Sequence, residues 1–272
     1  FINWQRFMAG GHLCDVHWLW HQSLRDVPLS LDRYWQSQTP LWVVTTSVED
    51  GEPRYHHATP DNLDEIMTAS CSIPFAYRQF PTVDGHPMTD GGVGDSIPVR
   101  WAYEQGARDI TVVLSRHQGY RKKPSPLAPL LKPWVREMPG LYAGMRKRSQ
   151  TYNDALAFIE NPPEDCRLTV IAPDRGFPVS RLTTHGQKLE QGYWQGHQAA
   201  SVMLGEPLFE AGGGGQPAKQ RCRQVVLTTC CYPTLHSARS RLPAQCVESR
   251  DDDYPSETRA GLSGLPGCHR LS

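Results

Sequence analysis

Residues 83–92 read Val-Asp-Gly-His-Pro-Met-Thr-Asp-Gly-Gly, and this short stretch decides the predicted fold. The dipeptide Asp84-Gly85 between apolar neighbours is typical of a tight β-hairpin turn. The returning strand leads directly into Asp90, which Gly91 and Gly92 follow. The sequence therefore predicts an aspartate just past a strand end, beside glycines that let a substrate or another part of the chain approach closely.

The regions on both sides of this stretch alternate between strand and helix patterns. Strands are predicted where β-branched and other apolar residues cluster, at 41–46, 54–57, 109–114 and 167–172. Helices are predicted from apolar spacing and from start and stop signals, at 12–25, 59–69, 97–105, 152–159 and 185–202. Residues 117–150 form a Pro-rich, basic insertion around shorter helical pieces. Strand, helix and strand in this order predict the α/β class.

The composition of the chain limits which partners it is expected to bind and where in the cell it is expected to lie. The 272 residues include 28 Lys plus Arg and 28 Asp plus Glu, so no net field attracts nucleic acid or an anionic membrane. The sequence has neither an apolar stretch of membrane-spanning length nor a signal segment. We therefore expect a cytoplasmic protein that binds no nucleic acid. Cys14, Cys71 and Cys166 are scattered through the first 210 residues, as expected of reduced thiols.

Two further features have a simple structural interpretation. The basic runs at 121–123 and 146–148 are interpreted as exposed surface in preference to a lipid-headgroup patch, because short charge runs are usually solvated. His17 and His21 lie four residues apart on a predicted helix, a spacing that suits zinc, but no glutamate follows His17 as in the H-E-x-x-H motif. We expect no metal site and no cofactor.

The character of the sequence changes near residue 211. Gly212–Gly215 is followed by five cysteines, seven arginines and one lysine without long apolar periodicity, so we expect a domain at 1–205 and a poorly structured tail at 206–272. A natural cysteine-rich or disordered tail and translation from a shifted reading frame both explain this composition, and we favour the shifted frame. The first residues resemble the interior of a protein, so we also expect a missing N-terminus.

An ordered set of motifs resembles the patatin-like phospholipase family, in particular its short cytosolic bacterial branch. Residues 41–55 are similar to the family's strand and hairpin, and Ala69–Pro74 to its small-residue segment A-S-x-S/A-x-P. Residues 90–92 match its Asp-Gly-Gly/Ala motif, and 97–99 the start of the next helix. An isolated Asp-Gly-Gly would be interpreted as an ordinary turn. The ordered set, which covers about residues 1–205, favours the family.

This resemblance implies a three-layer α/β/α sandwich, incomplete at the N-terminus, and a lipid acyl hydrolase that needs no cofactor. The family uses a Ser-Asp dyad, in which a serine in a G-x-S-x-G turn attacks the ester and the aspartate accepts its proton. By the resemblance, Asp90 is that base, and Gly91 and Gly92 shape its loop. No G-x-S-x-G occurs in the sequence, so we expect the nucleophile before Phe1 and no activity in the chain itself.

Two alternatives stay open at this point. Ser47, Ser70 or Ser72 could act as nucleophile only without the strained turn that makes a serine project, so we interpret them as capping or packing residues. The second function class is a non-catalytic module of the same fold that contacts lipid or a protein through the basic insertion. The first class implies a phospholipid or another acyl-lipid substrate, with peripheral membrane contact as an option.

Overall fold

A computed structural model describes residues 2–26, 29–126, 132–133, 135–180, 183–204 and 224–227, with only the backbone of 204 and 224–227. The helices are Trp4–Met8 (α1), Val16–Asp26 (α2), Leu31–Gln36 (α3), Leu63–Cys71 (α4), Val99–Glu104 (α5), Pro139–Glu160 (α6) and Gly186–Leu204 (α7). The strands are Trp42–Ser47 (β1), Pro53–His57 (β2), Thr82–Val83 (β3), His86–Asp90 (β4), Asp109–Val113 (β5), Arg167–Ile171 (β6) and Gln224–Leu227 (β7).

The described strands form two sheets. The first is antiparallel, with the order β2-β1-β4-β3, and the second is parallel, with the order β6-β5-β7. In the first sheet, Thr45 of β1 lies opposite Asp90 of β4. The chain thus combines helices and strands in a way that is compatible with the α/β class, whereas the layered patatin-type sandwich stays a prediction.

Both predicted hairpins are confirmed. The turn between β3 and β4 places Asp84 at φ 51° and Gly85 at φ 81°, the left-handed backbone region that Asp-Gly tolerates in tight hairpins. The turn between β1 and β2 contains Gly51 at φ 76°. These turns are encoded locally, which is why the sequence alone was sufficient to find them.

The predicted start of α4 is wrong by several residues. The pattern Thr59-Pro60 suggested a helix from residue 59, but α4 begins at Leu63. The Asn62 side chain accepts a hydrogen bond from the Thr59 amide (2.8 Å) and donates to the carbonyl oxygen of His57 (3.1 Å). These side-chain bonds to the backbone stabilise a turn where the sequence suggested a first helical turn.

The prediction of short helical pieces near residue 150 is also wrong. Residues 139–160 form one helix of 22 residues, α6, in place of a short helix at 152–159. Pro139 lies in its first turn, where the missing amide hydrogen of proline costs no hydrogen bond. The long helix carries the second of the two basic runs.

One segment of the predicted tail is described by the structure, and it forms a strand. Gln224–Leu227 forms β7 and pairs in parallel with β5, from Ile110 opposite Gln224 to Val113 opposite Leu227. The short run Gln-Val-Val-Leu has strand character, but the unusual composition around it obscured this signal. The other residues from 205 to 272 lie outside the described residues, and the domain boundary near 205 stays a prediction.

Three groups of buried apolar residues stabilise these elements. One lies around β5, α5 and α6, and a second joins α4 to β1 and β4. The third contains Val48, Val93, Val135 and Leu141. Because Val48 follows β1, Val93 follows Asp90 and Leu141 belongs to α6, this third group holds the start of α6 against the loop after β4.

Two findings bear on the environment of the chain. Among the described helices, none has both the length and the apolar character that crossing a membrane requires. Cys14 and Cys166 are buried free thiols, as predicted, and burial raises the pKa of both. A raised pKa keeps a thiol protonated and unreactive at neutral pH.

Candidate functional site

Asp90 is the last residue of β4 and is buried, with 8% of its surface exposed. Its amide donates a hydrogen bond to the carbonyl oxygen of Ser72 (3.1 Å), just after α4. Its own carbonyl oxygen accepts a hydrogen bond from Oγ1 of Thr46 in β1 (2.8 Å). Two neighbouring elements therefore fix the backbone from which the carboxylate projects.

The residues after Asp90 form a tight loop that is bonded to its carboxylate. The Gly92 amide donates to Oδ1 of Asp90 (2.7 Å), and the Gly94 amide donates to Oγ1 of Thr46 (2.9 Å). An aspartate that only caps its own turn would make the first of these bonds as well. This loop differs from such a turn in how closely other atoms approach its glycines.

Gly91 and Gly92 occupy positions where a side chain would meet other atoms. A Cβ on Gly91 would lie 2.1 Å from the backbone carbonyl oxygen of Val44 in β1. A Cβ on Gly92 would lie 3.0 Å from Oδ1 of Asp90 itself. Gly91 thus lets the loop turn back closely against β1, and Gly92 brings its amide to the carboxylate.

Arg148 of α6 contacts this loop, which the sequence interpretation missed. Its Nε donates to the carbonyl oxygen of Gly92 (2.7 Å), and the Ser96 hydroxyl donates to the same oxygen (2.8 Å). The basic run at 146–148 was predicted to be exposed. That is correct for Arg146 and Lys147 but wrong for Arg148, which is partly buried.

Helical periodicity is the signal that could have found Arg148. It shares a spacing of three or four residues with the buried positions of α6, which are Leu141, Gly144, Tyr152, Ala155 and Leu156. A charge on the buried face of a helix usually has a specific partner, because an unpaired buried charge is costly. The sequence interpretation treated residues 146–148 together as one exposed basic run, so it missed the partly buried Arg148.

A second polar pair, which was not predicted, joins β2 to the loop after Asp90. The Tyr55 hydroxyl donates to Oδ2 of Asp95 (2.7 Å), and the Ile97 amide donates to Oδ1 (3.1 Å). Burial raises the pKa of Asp95. Burial, together with the Asp95 charge, also raises the pKa of Tyr55, whose ring stacks on Trp101 with 4.5 Å between ring centroids.

An open cavity of about 800 Å³ borders the Tyr55–Asp95 pair. Residues of β2, the loop after Asp90, α5 and α6 line it, including Arg100 and Phe158. Asp90 is not among the residues of its lining. The cavity and the predicted catalytic carboxylate are therefore two separate features, at opposite ends of the loop 90–95.

The three serines considered as substitute nucleophiles are all buried. Ser47, Ser70 and Ser72 are at most 2% exposed. The Ser72 hydroxyl donates to the carbonyl oxygens of Thr68 (2.8 Å) and Ala69 (2.9 Å), so it bonds the last turn of α4. This confirms the capping interpretation for Ser72, and burial keeps a substrate away from all three.

The histidine pair on α2 is close together. The Nε2 atoms of His17 and His21 lie 3.0 Å apart on the exposed side of the helix. Within the described part of the chain, no group of three or more His, Cys, Asp or Glu side chains is arranged to hold a metal ion.

His56 bonds to the residue opposite Asp90. Its Nε2 lies 2.8 Å from the hydroxyl oxygen of Thr45, and its Nδ1 lies 3.7 Å from Oδ2 of Asp84. A hydroxyl, an imidazole and a carboxylate in this order resemble a hydrolase triad, but Thr45 is completely buried and the Asp84 side chain is 85% exposed. No substrate can reach the Thr45 hydroxyl, so we interpret the arrangement as structural.

The His56 contact predicts a pH dependence of stability. Burial lowers the pKa of His56 from its ordinary value of 6.5, against the raising effect of Asp84. As the pH falls, the His56 side chain therefore becomes protonated at a higher pH in the unfolded chain than in the folded chain. The free energy of unfolding consequently decreases as the pH falls below about 6.5. We expect His56→Gln to flatten the decrease in unfolding free energy between about pH 7.5 and about pH 5.5.

Urea denaturation at both pH values checks this expectation, with the exposed His185 changed to Gln as the matched control. The control should keep the pH dependence of the wild type. An equal decrease in the wild type and in His56→Gln would contradict the assignment to His56.

Comparison with known proteins adds two likenesses. Residues 138–206 match a family described as "Domain of unknown function (DUF6363)", a segment that contains α6, β6 and α7. Over 209 residues, the chain is 27% identical to the "Uncharacterized protein YjjU" of Escherichia coli (strain K12). This alignment covers 75% of the present chain and 58% of the E. coli protein, so the chain spans somewhat more than half the length of this relative.

Proposed function

We propose that this chain is part of a patatin-like lipid acyl hydrolase, in which Asp90 is the general base of a Ser-Asp dyad. The observation that carries the proposal is the buried Asp90 carboxylate at the end of β4, bonded to the amide of Gly92. The absence of a side chain at Gly91 supports the same role, because a Cβ there would lie 2.1 Å from the backbone carbonyl oxygen of Val44 and would push the loop away from β1. The packing of helices against both sheets is compatible with the layered sandwich that belongs to the proposal.

The proposed reaction is the hydrolysis of a carboxylic ester of a phospholipid or a related lipid. The serine oxygen attacks the ester carbonyl carbon while its proton passes to the carboxylate of Asp90. The tetrahedral intermediate then expels the alcohol, which takes this proton, and leaves an acyl-serine. Water attacks the acyl-serine, Asp90 accepts the proton of the water, and the fatty acid leaves as the serine recovers its hydrogen.

The nucleophile of this reaction is not in the present chain. The sequence contains no G-x-S-x-G, and the serines near Asp90 are buried. The E. coli relative is substantially longer than the region that aligns with this chain. Because the G-x-S-x-G turn of the patatin-like family precedes the motifs that this chain resembles, we assign the activity to a protein that contains residues encoded upstream of Phe1, in the cytoplasm and in peripheral contact with its lipid substrate.

Covalent labelling of the serine tests the proposed function. We expect the purified 272-residue chain to resist an alkyl fluorophosphonate and to leave nitrophenyl butyrate intact, because it lacks the activated serine. We expect a protein that also contains the upstream residues in the same frame to be labelled on a G-x-S-x-G serine and to hydrolyse phospholipid esters. Hydrolysis by the short chain that depends on Asp90, or an upstream frame without the motif, would contradict the proposal.

The second function class, a non-catalytic binding module, has weaker support. The basic insertion includes Arg121, Lys122, Arg146 and Lys147. Arg121 forms an ion pair with Glu160 (2.6 Å), and Lys147 forms one with Glu52 (3.4 Å). Such pairing reduces the positive charge that the insertion presents to an anionic surface. Binding to anionic liposomes that disappears when Arg121, Lys122, Arg146 and Lys147 are neutralised, without any turnover, would favour this class.

A further inference from the structure

We propose that Arg148 is a positioning residue for the Asp90 loop, and that the segment matched by the domain of unknown function therefore completes the candidate site. The catalytic consequence of this inference rests on the proposed function. The contact between α6 and the loop does not, because it follows from the positions of the atoms alone.

The contacts connect Arg148 to Asp90 through a single residue. Gly92 donates its amide hydrogen to Oδ1 of Asp90 (2.7 Å), and its carbonyl oxygen accepts from Nε of Arg148 (2.7 Å). A Cβ on Gly92 would lie 3.0 Å from Oδ1 of Asp90 and 3.5 Å from Nη2 of Arg148. The guanidinium group thus bonds the carbonyl oxygen of Gly92, and its Nη2 and Oδ1 of Asp90 both lie within 3.5 Å of the position that a Cβ on Gly92 would take.

The chemistry of arginine suits this position. A guanidinium group is planar and carries five N–H donors, so Nε can bond a carbonyl oxygen while an Nη points elsewhere. A hydrogen bond from a charged donor is about twice as strong as one between neutral groups. Ser96 donates to the same carbonyl oxygen. A carbonyl group with two donors has little freedom to rotate. It belongs to the peptide unit after Gly92, whereas the amide belongs to the unit before it, so the two bonds restrain the Cα that joins these units and limit how far the amide can move from Asp90.

The start of α6 is packed closely enough for Arg148 to reach the loop. A Cβ on Gly140 would lie 2.1 Å from the carbonyl oxygen of Glu49, and a Cβ on Gly144 would lie 2.7 Å from that of Gly51. The amide of Leu141 donates to the carbonyl oxygen of Val48 (3.2 Å). Arg148 follows Gly144 by about one helical turn, so it is on the same side of the helix. The close approach of these glycines therefore sets the distance between Arg148 and the loop.

Hydrogen exchange of the Gly92 amide in the purified chain measures this positioning directly. In Arg148→Ala, we expect this amide to exchange about 10- to 100-fold faster, the change expected for the loss of one hydrogen bond to a charged group. We expect Arg148→Lys to recover part of the protection, and guanidinium ion at millimolar concentration to recover part of it in Arg148→Ala. In the matched control, Arg146→Ala, the Gly92 amide should exchange at the wild-type rate because Arg146 is exposed.

Three results would overturn the inference. One is unchanged exchange at Gly92 in Arg148→Ala. Another is an equal acceleration at all protected amides, which would show a general effect on stability. The third is an absence of any recovery with both lysine and guanidinium. If Arg148→Ala does not fold, exchange in Arg148→Lys decides the question. A lysine that leaves the Gly92 amide as protected as in the wild type would show that the planar guanidinium group is not needed at this position.

A kinetic measurement separates this inference from the proposed function. In the protein that includes the upstream residues, we expect Arg148→Ala to lower kcat about 10- to 100-fold with little change in KM, and Arg148→Lys to recover part of kcat. If the wild-type protein hydrolyses no ester, the proposed function fails while the exchange result still decides the role of Arg148. If kcat is unchanged in Arg148→Ala, the positioning role in catalysis is wrong although the dyad stands.

Discussion

An Asp90→Asn variant of the protein that includes the upstream residues is expected to lose about 10²- to 10⁴-fold in kcat on a short-chain ester. The asparagine amide cannot accept the serine proton, whereas its oxygen can still accept the hydrogen bond from the Gly92 amide. The substitution also keeps the size of the side chain in a buried site. We therefore expect KM and the unfolding midpoint to change little, which steady-state kinetics and urea denaturation measure.

Asp84→Asn is the matched control for this substitution. Asp84 lies in the hairpin turn at φ 51°, a conformation that asparagine tolerates well, and its side chain is 85% exposed. Its variant should keep full activity. Asp95→Asn provides a stricter comparison, because Asp95 is also in the loop and borders the cavity. Full activity of Asp90→Asn combined with a large loss in Asp95→Asn would show that the wrong carboxylate has been assigned.

A Gly91→Ala variant is expected to lose about 3 kcal/mol of unfolding free energy, at the upper end of what overpacking typically costs. The added Cβ would lie 2.1 Å from the carbonyl oxygen and 2.6 Å from the carbonyl carbon of Val44. Both are backbone atoms of β1, so no side-chain rotation can relieve the contact. β1 and β4 would have to separate where Thr45 pairs with Asp90.

Gly196→Ala provides a control of the opposite sign. No atom lies within 4 Å of a Cβ at this position, which is inside α7, so alanine is expected to stabilise the helix by about 0.5 to 1 kcal/mol. Urea denaturation of both variants measures the difference. A Gly91→Ala variant as stable as the wild type would show that the loop after β4 is not packed against β1 in solution.

Elements with local signals were predicted well. The turn at Asp84-Gly85 requires only two residues with left-handed backbone angles, and the β-branched runs of β1 and β5 have strand character by themselves. The start of α4 was not predicted, because the side chain of Asn62 bonds back to the segment before it. A helix signal and a turn signal overlap at these residues, and hydrogen bonding decided between them.

The extent of α6 and the presence of β7 depend on distant parts of the chain. The apolar spacing of α6 is interrupted in its middle, where residues 146–151 are all charged or polar, and the start of the helix is stabilised by packing against Val48 and Val93. β7 has only four residues and pairs with β5, which is more than a hundred positions earlier. The local signals of both segments are weak, because the run of β7 is short and the apolar spacing of α6 is interrupted, so contacts with distant residues decided both elements.

Local sequence was enough to place Asp90 at a strand end beside Gly91 and Gly92, because a hairpin, a carboxylate and two glycines follow one another within a few residues. Long-range packing was needed to show what surrounds them. Thr46 bonds the loop from 44 residues before Asp90, and Arg148 bonds Gly92 from 56 residues after it. The physical reason is that a hydrogen bond depends on the distance between two atoms in space, and the separation of residues along the chain does not set that distance.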